Sequence, residues 1–197
     1  IEHPNPNRNL SLAINSNLGG PKQLIDRFLE KMKRIEDEGR VREFIIFTSV
    51  DGWGEQAEYP RHGLDFNYFW DNCHKVLTEL QRCNLTFMST YNALSVPSYK
   101  KLIEGVYQLK EEYSSPDRYW NSATFLDSSY LRYPQHQTVQ VLPMEWSKEI
   151  LQQAQLLDFY ALPVFEHMYT GYSDIEIQKV KRIYDWMISR NMSELRD

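Results

Sequence analysis

Short apolar runs alternate along this chain with longer stretches in which apolar residues recur every three or four positions, the two patterns that separate a buried strand from a one-sided helix. The first run, Leu10 to Ile14, closes at Asn15-Ser16-Asn17-Leu18-Gly19-Gly20-Pro21, a glycine turn feeding a helix with proline in its first turn. The stripe Leu24, Ile25, Phe28, Leu29, Met32, Ile35 predicts that helix, and Gly39 predicts its stop. Phe44-Ile45-Ile46-Phe47 is a second strand, apolar on both faces as covered parallel strands are. A helix follows through Phe66, Phe69, Trp70, Cys73, Val76, Leu77 and Leu80.

Leu85 to Met88 gives a third strand, and Ser95-Val96-Pro97-Ser98 opens a helix carrying Leu102, Ile103, Val106 and Leu109. Ala123 to Leu126 is a fourth strand. Beyond it the rhythm changes: a short Val139-Gln140-Val141 segment precedes Leu142-Pro143 and a helix through Trp146, Ile150, Leu151 and Leu157. The last helix starts at the capping box Ser173-Asp174-Ile175-Glu176 and runs through Ile177, Val180, Ile183, Tyr184 and Met187. This alternation predicts an α/β fold, with strand-helix units and right-handed crossovers forming about four strands of a parallel (β/α) barrel, plus C-terminal helices. A single domain is expected over residues 1–197, with 158–197 as a helical extension.

In such folds the ligand lies at the carboxyl ends of the strands. Four predicted strands finish in small polar residues: Asn15, Ser16 and Asn17; Thr48, Ser49 and Asp51; Ser89, Thr90 and Asn92; Asp127 and Ser128. These side chains either converge on one rim and hydrogen-bond a ribose, an amide or an amino-acid head group, or they terminate strands and cap the next helices.

Charge and composition narrow the functional classes. A formal charge of -5 and a pI near 5.6 give no general attraction to nucleic acid, and Lys31, Lys33, Arg34, Arg40 and Arg42 are interleaved with acids as on a solvated helix face. No run approaches the ~18 to 20 apolar residues that span a bilayer. Two cysteines, Cys73 and Cys83, ten residues apart, fit neither a metal knuckle nor a disulfide framework, which predicts a soluble protein in a reducing cytosol, and Cys73 falls on a buried stripe. The histidines, among them His62, His74, His136 and His167, lack metal-ligand spacing. The chain opens on Ile1 rather than Met, which reads as a processed, truncated or excerpted sequence.

The most distinctive stretch is Ser49-Val50-Asp51-Gly52-Trp53-Gly54-Glu55, with Arg61-His62-Gly63 shortly after it. It resembles the fourth-strand region of radical S-adenosylmethionine enzymes, where Ser-x-Asp-Gly ends a strand and Arg-x-Gly comes next, and most closely the members with twitch-type or SPASM-type auxiliary regions. On that alignment Asn15-Ser16-Asn17 falls at the family's third strand end and Thr90-Tyr91-Asn92 at its fifth. Tyr130-Leu131-Arg132-Tyr133-Pro134 and Leu142-Pro143 resemble the segment after its sixth strand. The resemblance spans Leu10 to Leu157 and implies that this chain is the carboxyl-side half of such a barrel.

It further implies that Ser49, Asp51, Asn15, Asn17, Thr90 and Asn92 bind S-adenosylmethionine, while Arg61 and Arg132 meet a small-molecule or peptide substrate. The family's Cys-x3-Cys-x2-Cys and Gly-Gly-Glu-Pro are both missing. The chain alone is therefore expected to hold no 4Fe-4S cluster and to cleave no S-adenosylmethionine; the cluster, two further strands and catalysis would come from the missing amino-terminal half of the barrel, in cis or in trans. The alternatives are a stand-alone α/β binding domain that has lost the cluster, and a different βα-barrel enzyme using Asp51 and Glu55 for acid/base chemistry.

Overall fold

The computed structural model describes residues 9–161 together with Arg182, Tyr184 and Asp185; side-chain placement is described for these except at Tyr119 and at 158–161. The sequence-predicted helix from Ser173 lies outside the described residues apart from those three positions, which are helical. Strand and helix alternate as β1 (Ser11–Asn15), α1 (Lys22–Asp37), β2 (Glu43–Ser49), the single turn α2 (Glu55–Glu58), α3 (Phe66–Glu79), β3 (Cys83–Tyr91), α4 (Val96–Tyr113), β4 (Thr124–Tyr130) and α5 (Ser147–Ala161). The protein is thus α/β, with one four-stranded parallel sheet in the order β1-β2-β3-β4, as expected for part of a (β/α) barrel. β1 pairs with β2 in parallel from Ser11↔Glu43 to Asn15↔Phe47.

Contacts group the chain into two compact units. The first holds the described residues up to Ser49 with Gly63–Phe87 and Gln108–Phe125; the second holds Val50–His62, Met88–Tyr107 and the described residues from Leu126 onward. In the first, Leu29, Phe44, Ile46, Phe69, Leu77, Leu85 and Phe87 are buried, and Phe28 meets Phe44 with ring centroids 6.3 Å apart. Asp26 of α1 and Lys75 of α3 form an ion pair. Gly39, at φ 60°, ends α1 by donating its N–H to Glu36 O, a conformation that costs glycine little. Asp65 caps α3 by accepting the Tyr68 N–H at 2.9 Å.

Arg118 organises the other end of that unit. Its buried guanidinium donates from Nε to Tyr113 O (2.7 Å), from Nη1 to Leu80 O (2.9 Å) and Cys83 O, and from Nη2 to Leu77 O (2.6 Å). One cation therefore satisfies carbonyls at the carboxyl ends of both α3 and α4, where unpaired C=O groups and the helix dipole favour positive charge.

The core of the second unit is partly polar. Tyr91 and Tyr99 are fully buried and meet edge to face with centroids 4.6 Å apart. The Tyr91 hydroxyl donates to Gln153 Oε1, Gln153 Nε2 donates to Val96 O at 2.8 Å and to Glu149 Oε1 at 3.1 Å, and Tyr99 bonds Ser128. These bonds satisfy polar groups that burial would otherwise leave costly. Val139–Val141 is a 3₁₀ turn.

All four strands run further than their apolar cores. Thr48 and Ser49 lie inside β2, Ser89 and Thr90 inside β3, and Asp127 and Ser128 inside β4, so these residues belong to the strands rather than to the loops after them. The ladder continues because backbone pairing does not depend on apolar side chains: Val50 N still donates to Met88 O at 3.1 Å.

Candidate functional site

At the carboxyl end of β2 the chain leaves the strand through Val50-Asp51-Gly52-Trp53-Gly54 and returns at Arg61, all within the second unit. Asp51 binds both sides of this loop. Its Oδ1 accepts the Thr90 N–H at 2.7 Å, taking a place that the next rung of a strand would fill, and its Oδ2 accepts Arg61 Nε at 2.8 Å. The Asp51 side chain is 9% exposed and that of Arg61 31%, so the ion pair closes the loop with the carboxylate inside and the guanidinium at the surface. Among the described residues the Nη atoms of Arg61 have no hydrogen-bond partner.

Two further features hold the same loop. The Trp53 N–H donates to Ser98 Oγ of α4 at 3.0 Å, and Gly52 packs so closely on α4 that a Cβ there would stand 2.5 Å from Ser98 Oγ. Gly54 takes φ 61° and ψ -142°, a backbone region essentially reserved for glycine.

The neighbouring strand end is built from local hydrogen bonds. Asn92 Oδ1 accepts the N–H groups of Leu94 (2.9 Å) and Ser95 (3.3 Å), its Nδ2 donates to Thr90 O at 2.8 Å, and Ser95 Oγ accepts the Asn92 N–H at 2.9 Å. Asn92 is thus committed to starting α4, while the Thr90 hydroxyl is half-buried and has no hydrogen-bond partner among the described residues. Arg132 lies after β4; its guanidinium stacks over the Tyr130 ring at 5.0 Å and Nη2 donates to the Tyr130 hydroxyl at 3.0 Å.

The remaining predicted residues belong to the first unit. Asn17 Oδ1 accepts the Gly19 N–H and Ser16 Oγ the Leu18 N–H, both at 3.1 Å, so they shape the β1–α1 turn. Leu18 there is buried at φ 48°, held by Asn72 Nδ2 donating to its carbonyl at 2.7 Å. Asn15 is exposed and Ser49 half-buried, and neither side chain hydrogen-bonds a described residue.

The rim residues therefore divide into two groups. Both Asp51 oxygens, Asn17 Oδ1 and both polar atoms of the Asn92 amide bond within the chain, whereas the side chains of Asn15, Ser49 and Thr90 and the Arg61 Nη atoms hydrogen-bond no described residue. Sequence reasoning missed Ser98 and Arg118. A serine in the first turn of a helix reads as a cap, and a lone arginine between α4 and β4 carries no pattern.

Within the second unit, the Thr90 hydroxyl and the Arg61 guanidinium have the chemistry to hydrogen-bond a hydroxyl and a carboxylate. The thiols do not match an iron–sulfur cluster. Cys73 and Cys83 are both buried, and burial pushes each well above the usual thiol range, disfavouring the thiolate that ligates iron. Among the described residues no three His, Cys, Asp or Glu side chains are grouped to hold a metal ion, and no helix is long and apolar enough to cross a membrane. The chain matches no family model, no curated protein and no solved structure.

Proposed function

We propose that this chain is the carboxyl-side part of a radical S-adenosylmethionine enzyme core, binding the cofactor and a small-molecule or peptide substrate at the strand ends while the iron-sulfur cluster is held by other residues of the complete protein. The observation that carries the reading is the strand order: parallel strands are laid down in chain order, and each carries polar residues at or near its carboxyl end. In such sheets a strand preceding β1 would lie against the outer side of β1.

The two edge strands differ in the way this reading requires. No residue of β1 is buried, although Leu12 and Ile14 stand in register with the buried Phe44 and Ile46. Thr124, Leu126 and Ser128 of β4 are buried. β1 also carries no charge and no proline, the devices with which natural edges resist pairing. Its edge suits an additional strand-helix unit, in cis or in trans, and a reducing cytoplasm suits both the free thiols and an oxygen-sensitive cluster.

In the proposed role Ser49, Thr90 and Asn15 donate to or accept from the cofactor, Arg61 offers its outer fork to a carboxylate, and Arg132 lies on the substrate side. S-adenosylmethionine would supply the radical chemistry once reduced by the cluster; the residues of this chain bind and orient. Calorimetric titration of S-adenosylhomocysteine into the complete gene product tests the binding. Ser49→Ala and Thr90→Val are each expected to weaken it about 3- to 10-fold, the worth of one neutral hydrogen bond, and unchanged affinity in both would contradict the assignment. A stand-alone binding domain is the second reading, favoured by the internal commitment of Asp51, Asn17 and Asn92.

A further inference from the structure

Ser98 sits on α4, outside every strand-end cluster, and nothing in its local sequence marks it as more than a helix-start serine. Its surroundings are unusual for that role. The residue is buried, its Oγ accepts the Trp53 N–H across 45 positions of sequence, and it fills the space that the missing Cβ of Gly52 leaves open. Gly52 and Trp53 directly follow Asp51, whose two oxygens hold Thr90 N–H and Arg61 Nε. The loop is thus fastened to α4 at Trp53 and to β3 and its own far end at Asp51, with Gly52 as the close-packed link between.

We propose that Ser98 is a positioning residue for the strand-end site: through the Gly52–Trp53 contact it sets the Asp51 carboxylate, and with it the Arg61 guanidinium and the end of β3 at Thr90. Ser98 hydrogen-bonds neither Asp51 nor Arg61; it acts by holding the backbone that carries them. The inference about geometry stands on the contacts of the free chain, and only its consequence for affinity rests on the cofactor reading above.

Amide hydrogen exchange of the ligand-free protein separates positioning from a merely local bond. In Ser98→Ala the Trp53 amide loses its own acceptor and exchanges faster under either view. The discriminating amide is Thr90, which is bonded to Asp51 and not to Ser98. Its exchange is expected to accelerate roughly 3- to 10-fold in Ser98→Ala. Ser98→Thr, which keeps the hydroxyl, is expected to restore protection. Gly52→Ala presses on the same contact from the loop side, so it should expose Thr90 in the same way and serves where Ser98→Ala fails to fold.

Titration with S-adenosylhomocysteine then reads the consequence, with weaker binding expected in Ser98→Ala and recovery in Ser98→Thr. Thr90 exchange unchanged in Ser98→Ala and Gly52→Ala overturns the proposal. Faster Thr90 exchange in a protein that binds no S-adenosylhomocysteine upholds Ser98 as a positioning residue and removes the cofactor reading instead.

Discussion

Glu36 illustrates how one side chain couples burial to pH. It lies on the buried face of α1 and its Oε1 accepts the Arg82 N–H at 3.2 Å. Burial raises its pKa above the ordinary 4.5, outweighing the Arg82 N–H and the Arg118 charge, which pull it down. Since the folded value exceeds the unfolded one, the stabilising contribution is complete below the ordinary value and fades as pH rises through the raised one. Glu36→Gln keeps an acceptor and never ionises. Its unfolding temperature relative to the unmodified protein is therefore expected to climb between about pH 4 and about pH 8. A difference that stays flat across thermal scans at several pH values would contradict this. The same scale shows where sequence reasoning stops: Asp51, Asn17 and Asn92 look like Ser49 and Thr90 in sequence, because short polar side chains suit both turns and ligands, and only three-dimensional placement shows which have spent their hydrogen bonds at home.

At the scale of elements, hydrophobic period located all four strands and the helices between them, since a buried stripe must repeat with the geometry of its element. Strand ends were less legible: apolar runs mark where both faces are covered, while the ladder extends until the backbone turns away, as at Thr48-Ser49 and Ser89-Thr90. The closure of α3 and α4 by Arg118 left no sequence trace, because its partners are carbonyls, which every residue has. Burial draws the Arg118 pKa below the ordinary arginine value without threatening its charge at neutral pH. Arg118→Met would strand buried carbonyls at two helix ends, and the expected loss is about 3 kcal/mol or more, read from urea unfolding. A loss below about 1 kcal/mol would mean that water or neighbouring groups satisfy those carbonyls instead.

Across the whole chain, the parallel order β1-β2-β3-β4 agrees with the strand-helix rhythm, and the contrast between exposed β1 and buried β4 is what a further unit beside β1 would relieve. On the proposed reading the cluster chemistry would come from other residues, since the sequence has no Cys-x3-Cys-x2-Cys and Cys73 and Cys83 are both buried. The central claim is that these strand ends serve a radical enzyme whose cluster is bound elsewhere in the same assembly. It is tested most directly by the iron content of the anaerobically reconstituted product of the complete gene, with cleavage of S-adenosylmethionine assayed on the same preparation. Four irons per protein with reductive cleavage of the cofactor is the predicted result, and a purified complete product with neither iron nor cleavage, alone or with its partners, would contradict it.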